Sequence, residues 1–282
     1  APKDDGDVLV IQIDSKATPT AHATELKKRR GKRQLNPYPD SPRHRGRHRR
    51  QNRGSKPRRK KGDKSKNGKM VTVVVMYTLK RDRYDNGMPM LKGPINRWVY
   101  ASYAPKRHAF AIARREADKR GFGQPSGKVI QIVTDGDEDL ERLANEFFPQ
   151  AKHTLDVIHV VEYLWKAGAC LYQEGSDAMR GWVEKQKDRL YDGRIKTIIG
   201  ALRSSVKLAP TIKKQETLMQ IANYMAKRIH MMNYDQLERA DMELASGIVE
   251  GAVRYVVSQR FDEGGMRWIK ERAEALLQLR CI

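Results

Sequence analysis

Apolar residues follow two patterns along this chain, and together they predict an α/β fold. The chain contains five short apolar runs. Apolar residues at helical spacing come after the third and the fourth of these runs, and they recur from about residue 161 to the C-terminus. Three strands followed by alternating helices and strands are typical of a mixed sheet with flanking helices. The apolar runs that predict the strands, the last of them continuing into a helix, are residues 8–13, 70–79, 97–104, 129–134 and 153–160.

The same order of elements occurs in ribonuclease-H-like folds, so we expect a mixed five-stranded sheet of that type. Residues 1–160 would form the first part of this core, and residues 241–282 would add the helices that complete it. Residues 161–240 have helical spacing interrupted by glycine and proline, which predicts an all-α insertion. The order of elements does not by itself establish an activity, which has to be argued from the site.

The positive charge of the chain is concentrated in one segment. The 282 residues carry a formal net charge of +22, and the sequence pI is about 10.0. Residues 27–69 contain 20 lysines and arginines against two aspartates, a local net charge of +18. Because residues 34–69 contain almost nothing apolar, we expect a disordered basic loop there. Such a run of cations predicts strong, salt-dependent binding to nucleic acid. A solvated tail is the alternative interpretation.

Composition also speaks against membrane and secreted proteins. No stretch approaches the roughly 18 apolar residues of a membrane span, and the first residues do not have the pattern of a signal sequence. The two cysteines, Cys170 and Cys281, have neither metal-ligand spacing nor the pattern of a disulfide framework. We therefore expect a cytoplasmic protein without a membrane partner.

Two aspartates directly follow apolar runs, Asp14 after the first predicted strand and Asp135 after the fourth. In a mixed α/β sheet, the carboxyl ends of neighbouring strands form the crevice in which ligands bind. Carboxylates that meet there repel each other unless a cation lies between them, and Mg²⁺ is a hard cation that takes oxygen ligands. The sequence therefore predicts a site for two Mg²⁺ ions, or Mn²⁺, that promote displacement at a phosphodiester.

Both aspartates have alternatives. Asp14 could be a turn residue at the end of a strand. Asp137 and Asp139 compete with Asp135, because either of them could be the second acid or could cap the following helix. Asp135 is preferred because it directly follows the strand and precedes Gly136.

Glu250 is the candidate for a third acid. At 100° of rotation per residue it lies on the flank of the apolar stripe of residues 245–257, so a helix packed on the sheet would present it at the rim of the cleft. The alternative is a solvated glutamate paired with Arg254 one turn later. Asp156 and His159 form a D-x-x-H pair at the end of the fifth predicted strand. They could contact the metal site or DNA, or they could form a hydrogen-bonded pair that fixes the turn.

Six segments of the sequence resemble the Kra-type group of bacterial insertion-sequence transposases. They extend over nearly the whole chain outside the basic loop and parts of the helical region. The segments are IDSKATPTA (13–21), VVMYTLKR (74–81), GPINRWVYASYAPKRHAFAIARREADKRGF (93–122), IVTDGDEDL (132–140), FFPQAKHTLDVIHVVEYLWKAG (147–168) and SGIVEGAVRYVVSQR with GGMRW (246–268).

The resemblance implies a DDE transposase with a ribonuclease-H-like core that is interrupted by an all-α insertion. At the matching positions the catalytic, metal-binding acids would be Asp14, Asp135 and Glu250, and Asp156 and His159 would be auxiliary. The partner would be double-stranded DNA, as transposon ends and as target, bound by a homo-oligomer in the bacterial nucleoid. The group usually has an N-terminal DNA-binding region and continues beyond the LLQLR segment, so we expect a truncated catalytic core.

Three hypotheses about function follow. The first is a transposase that cleaves DNA and transfers the strand, and the presence of all three acids favours it. The second is a catalytically inactive transposase remnant that binds DNA, and the third is a ribonuclease-H-like nuclease without strand transfer. The cations expected to contact DNA are Lys28, Arg29, Arg30, Arg33, Arg45, Arg47, Arg49, Arg50, Arg58, Arg59, Lys60 and Lys61.

Overall fold

One five-stranded sheet forms the centre of the protein. The computed structural model describes residues 5–21, 24, 68–123, 128–263 and 267–282. The spatial order of the strands is β3-β2-β1-β4-β5; β2 is antiparallel to β1 and β3, and β4 is parallel to β1 and β5. The predicted α/β fold with a mixed five-stranded sheet is therefore confirmed. The strands are β1 (Val8–Pro19), β2 (Gly68–Arg83), β3 (Pro89–Ser102), β4 (Val129–Thr134) and β5 (Lys152–Leu155).

Helices follow the strands in the predicted order. The longer α-helices of the described segments are α1 (Lys106–Lys119), α2 (Glu138–Phe147), α3 (Val157–Leu171), α4 (Asp177–Tyr191), α5 (Ile195–Ser205), α6 (Ile212–Lys227), α7 (Tyr234–Arg239), α8 (Gly247–Ala252) and α9 (Lys270–Arg280). α8 continues through a π-helical segment (Val253–Ser258) and one further helical turn (Gln259–Phe261). Short 3₁₀ turns (Val206–Leu208 and Ile229–Met231) lie before and after α6.

Both faces of the sheet are apolar, and this is why helices cover both. Successive side chains of a strand point to opposite faces. In β1, Leu9 and Ile11 pack against α1 and α2, whereas Val8 and Val10 pack against α8, its continuation and α9. The site described below lies on the α8 side.

The helices between β5 and α8 share a separate hydrophobic core. Leu164 of α3, Ile198 of α5 and Leu218 of α6 are each fully buried in it. The helical spacing of residues 161–240 therefore corresponds to helices, although the first of them begins at Val157. None of the helices in the described segments is long and apolar enough to cross a membrane.

The first strand is longer than predicted. β1 continues to Pro19, so Asp14 lies inside the strand and the prediction that it ends the strand is wrong. β1 pairs with β4 only as far as Gln12, but it pairs with β2 over its whole length. The antiparallel partner therefore keeps the residues beyond Asp14 extended.

The fifth strand is shorter than predicted. β5 ends at Leu155, and the Asp156 side chain accepts a hydrogen bond from the backbone N–H of Ile158 at 2.8 Å as the N-cap of α3. Capping ends the strand because the cap residue satisfies a backbone donor of the new helix. His159 therefore lies in the first turn of α3 rather than in a strand.

Candidate functional site

Three aspartates lie side by side at the carboxyl edge of the parallel strands. The β1–β4 pairing ends two residues before Asp14 and Asp135, and the β4–β5 pairing ends one residue before Asp135 and Asp156. Extending both registers brings Asp135 level with Asp14 on one side and with Asp156 on the other. Asp14 and Asp135 are half-buried, whereas Asp156 is fully buried. The carboxyl edge of the sheet therefore collects the acids from β1, β4 and β5.

Gln12 attaches the start of α8 to this edge. Its Oε1 accepts a hydrogen bond from the backbone N–H of Val249 at 2.9 Å, and its Nε2 donates to the carbonyl of Ala245 at 3.1 Å. The side chain is fully buried. Because Gln12 precedes Asp14 by two residues, both side chains are on the α8 face of β1. The strand that carries Asp14 thus also fixes the helical turn that carries Glu250.

Gln131 of β4 makes a similar attachment one strand further on. Its Oε1 accepts a hydrogen bond from the N–H of Glu243 at 3.2 Å, and its Nε2 donates to the Glu243 carbonyl at 2.7 Å and to Thr154 Oγ1 at 2.9 Å. Sequence reasoning missed both glutamines. The available signal was a glutamine inside each of two otherwise apolar runs, VLVIQI and VIQIVT, since a buried amide requires partners.

Asp156 is the centre of a buried hydrogen-bond network. Its Oδ2 accepts from Ser246 Oγ and lies 3.2 Å from His159 Nδ1, while its Oδ1 accepts from Ile158 N–H. Burial disfavours ionisation, but the bonds from His159, Ser246 and Ile158 outweigh it and lower the pKa of Asp156. The hydrogen bond to Asp156 in turn raises the pKa of His159 to about 9. The pair is therefore an aspartate and an imidazolium at neutral pH.

Glu250 completes a cluster that could hold a metal ion. Ligand atoms of Asp156, His159 and Glu250 all lie within 4.8 Å of one another. Asp156 is buried, His159 is half-buried and Glu250 is exposed. The expected set of Asp14, Asp135 and Glu250 does not meet this distance criterion among the residues described. The two residues expected to be auxiliary thus share this cluster with Glu250.

The carboxylates of the site nevertheless repel one another, and this repulsion affects the pKa values of Asp14 and Glu250. Burial is the main cause of the raised pKa of Asp14, and the charge of Asp135 raises it further. Desolvation also raises the pKa of Glu250, with additional contributions from Asp156 and Asp14, while His159 opposes the shift. Each of these carboxylates therefore feels the negative charge of at least one other. Within the described segments, the Glu250 carboxylate accepts no hydrogen bond, and the alternative ion pair with Arg254 is not formed.

The loop that carries Asp135 is fixed by helix α6 and the residue after it. Tyr224 Oη donates to the Asp135 carbonyl at 2.8 Å, and Arg228 Nε donates to the Gly136 carbonyl at 2.9 Å. Gly136 has a φ of 82°, and a Cβ there would lie 2.5 Å from Tyr224 Oη. The position thus requires glycine for both its conformation and its space. The helices between β5 and α8 help to position one acid of the site.

The alternatives to Asp135 have other roles in the structure. Asp137 is the N-cap of α2, where its Oδ1 accepts from Asp139 N–H at 2.8 Å, and its Oδ2 lies 2.7 Å from Lys106 Nζ. Asp139 is exposed on α2 and lies 3.5 Å from Arg142. Asp135 is left as the acid that directly follows β4, and its Oδ1 accepts from the Asp137 N–H at 2.9 Å.

The expected DNA contacts of the basic loop lie outside the described residues, because all twelve cations from Lys28 to Lys61 are between residues 24 and 68. Comparison with protein-family models gives no match for this chain. Comparison with curated proteins gives none either. The geometry of the site is therefore the basis for assigning a function.

Proposed function

We propose that this protein is a DDE-type transposase that cleaves DNA and joins the free end to a target in a metal-dependent reaction. The observation that carries the proposal is that Asp14 and Asp135 lie level with each other at one edge of the sheet. Burial and the charge of Asp135 raise the pKa of Asp14, and burial, Asp156 and Asp14 raise the pKa of Glu250. Carboxylates held together in this way favour a bound cation. The acids would thus be the metal ligands of a phosphoryl-transfer site.

The strand order supports a ribonuclease-H-like core. The spatial order is β3-β2-β1-β4-β5, and only β2 runs antiparallel to the other strands. A mixed five-stranded sheet of this kind is compatible with such a core. Asp14 lies in β1, Asp135 directly follows β4, and Glu250 lies in α8. Helices α3 to α7 would be the insertion between β5 and the helix that carries Glu250.

The donor set fits Mg²⁺ or Mn²⁺. Asp14, Asp135 and Glu250 offer only carboxylate oxygens, which suit these hard cations. His159 is a less suitable ligand, because imidazole nitrogen is a softer donor than a carboxylate oxygen and its Nδ1 already lies 3.2 Å from Asp156 Oδ2. Bound metal would act as a Lewis acid that activates a water or a 3′-OH and stabilises the leaving oxygen. We assign the metal to the three carboxylates and keep Asp156 and His159 as auxiliary residues.

Each residue around the acids has a role in this proposal. Gln12 holds the first turn of α8, which carries Glu250, and Tyr224 fixes the backbone of Asp135. The His159 imidazolium is a positive charge beside an acidic site, where it would face a DNA phosphate. Catalysis by positioning and charge, rather than by covalent chemistry of the protein, is the expected mode for phosphoryl transfer.

A strand-transfer assay tests the proposal. Purified protein is mixed with Mg²⁺, labelled duplexes from the DNA that flanks its gene, and a supercoiled target plasmid. The expected result is labelled plasmid, produced by the wild type and by the control Asp139→Asn but not by Asp135→Asn. Duplexes that are cut but never joined would support the nuclease hypothesis instead. Binding with neither cutting nor joining would support the inactive remnant.

A further inference from the structure

The segment from α5 to the start of α6 is strongly basic and exposes apolar side chains. Residues 193–215 contain six lysines and arginines and no acidic residue. The chain there forms α5, a 3₁₀ turn, a short loop and the first turn of α6. This basic surface lies within the described residues and is separate from the basic loop considered above.

Three of its cations form one stripe. Lys196, Arg203 and Lys207 recur at intervals of seven and four residues, which places them on one side of α5 and the 3₁₀ turn that follows. All three are exposed, and in the described part of the chain none of them has an ion-pair partner. The stripe extends for about 16 Å at 1.5 Å per residue. This length corresponds to about five base pairs at 3.4 Å each.

A shallow depression along the stripe brings the backbone close to the surface. Lys196, Gly200 and Arg203 line it together with Ala226 and Ile229, and its volume is about 260 Å³. A Cβ built on Gly200 has nothing within 4 Å. The surface at Gly200 is therefore low and open between two cations, and a phosphate strand could approach the helix closely there.

The far end of the stripe is apolar. Leu208 and Ile212 are 76% and 74% exposed, more than any other described large hydrophobic residue except the C-terminal Ile282. They flank Pro210 in the loop between the two helices, next to Lys207 and Lys213. Apolar side chains that project from a basic surface are used by DNA-binding proteins to contact the minor groove.

The near end of the stripe lies beside the end of α6. Lys196 shares the depression with Ala226 of α6 and with Ile229, which follows that helix. The stripe therefore extends from the end of α6 to Leu208.

We propose that this stripe, with Leu208 and Ile212 at its end, is a second DNA-binding surface that holds duplex DNA. The cations contact phosphates along one strand, and the apolar pair contacts the minor groove beyond them. The choice of DNA over another polyanion rests on the proposed function, and the charge and exposure of the surface do not depend on it.

The test compares salt dependence of binding in the full chain. Wild type and the triple variant Lys196→Gln, Arg203→Gln, Lys207→Gln bind a labelled 30-base-pair duplex in EDTA, measured by anisotropy over a range of KCl concentrations. Loss of three phosphate contacts should reduce the slope of log affinity against log salt by about 2 to 3. The control variant Arg142→Gln, Arg180→Gln, Lys187→Gln removes the same charge from cations that are already ion-paired. A slope equal to that of the control would overturn the proposal.

The apolar pair is tested separately. Leu208→Ser with Ile212→Ser should weaken binding about tenfold while leaving the salt slope unchanged, because apolar burial does not release counterions. Unchanged affinity would contradict the role of the pair.

If the triple variant loses binding to vesicles of anionic lipid but keeps its DNA slope, the partner is a membrane and the proposal is wrong. If the triple variant has a reduced slope but the wild type never cuts DNA, the proposed function is wrong and the DNA-binding surface is supported. If the wild type cuts DNA but the slope of the triple variant is unchanged, the proposed function is supported and the DNA-binding surface is wrong.

Discussion

Gln12 Oε1 accepts a hydrogen bond from the backbone N–H of Val249 at 2.9 Å, across 237 residues of sequence. Through this bond the strand that carries Asp14 holds the helical turn that carries Glu250. The distance between two of the proposed metal ligands is therefore set by a buried amide that does not itself belong to the ligand set. This relationship explains how a chain with many helices inserted before α8 can still assemble one site.

Replacing Gln12 by leucine should reduce both stability and activity. The change leaves the Val249 N–H and the Ala245 carbonyl without their buried partner, and it should lower the free energy of unfolding by about 2 kcal/mol. Urea denaturation measures the loss, with the exposed Gln220→Leu as the control. The remaining folded protein should also cut DNA more slowly in Mg²⁺. Full activity per folded molecule would show that Gln12 does not position Glu250.

Asp14→Asn should stabilise the metal-free protein. Burial and Asp135 raise the pKa of the folded Asp14 carboxyl above its unfolded value, so its contribution becomes unfavourable as the pH rises above about 4. At pH 7 in EDTA, the variant should have a higher free energy of unfolding than the wild type. The gain should disappear near pH 3, where the carboxyl is protonated in both states. Added Mg²⁺ should stabilise the wild type and the control Asp139→Asn but not Asp14→Asn.

The Asp156–His159 pair should make stability depend on pH in the alkaline range. The folded pKa of His159 is about 9, above the unfolded value of about 6.5. Its contribution is therefore complete below pH 6.5 and is lost as the pH rises through 9. Because the side chain is 35% exposed, we expect a contribution of about 1 kcal/mol. Unfolding of wild type and His159→Gln in EDTA should differ at pH 6 and converge by pH 10. A difference that does not change with pH would contradict this assignment.

Gly136→Ala should disturb the site through the backbone. The alanine would have to adopt a φ of 82° and place its Cβ 2.5 Å from Tyr224 Oη. Strain of this kind costs about 1 to 3 kcal/mol, and its relief would move the Asp135 loop. Thermal unfolding and DNA cutting should both decline. The control is Gly181→Ala, where a Cβ meets nothing within 4 Å, and equal behaviour of the two variants would refute the role of Gly136.

Local patterns predicted the strands and their order along the chain, because β1, β2 and β4 contain continuous apolar runs and most of the longer helices have an apolar stripe. They also brought attention to Asp135 and Asp156, which directly follow their strands. The sequence predicts a strand end at Asp14 because the strand's continuation depends on pairing with β2, whose residues are about 50 to 60 positions away. His159 was placed in a strand because the cap formed by Asp156 depends on backbone geometry rather than on composition.

The bonds that assemble the site could not be predicted in the same way. Gln12 and Gln131 bond to residues more than 100 positions away, and a glutamine in an apolar run does not indicate which backbone groups it will satisfy. The contact of Glu250 with Asp156 and His159 likewise depends on how α8 packs on the sheet. These contacts require the tertiary structure.

Mg²⁺-dependent nicking of supercoiled plasmid tests the central claim most directly. We predict that wild type nicks the plasmid in Mg²⁺ but not in EDTA, and that Asp14→Asn, Asp135→Asn and Glu250→Gln each reduce the rate at least about 100-fold. Binding of each variant to the same DNA should remain within about twofold of wild type, because the basic surfaces are unchanged. The control Glu162→Gln, near the site but outside the ligand set, should nick at the wild-type rate. Nicking by Asp135→Asn at the wild-type rate, or a wild type that binds DNA and never nicks it, would contradict the account.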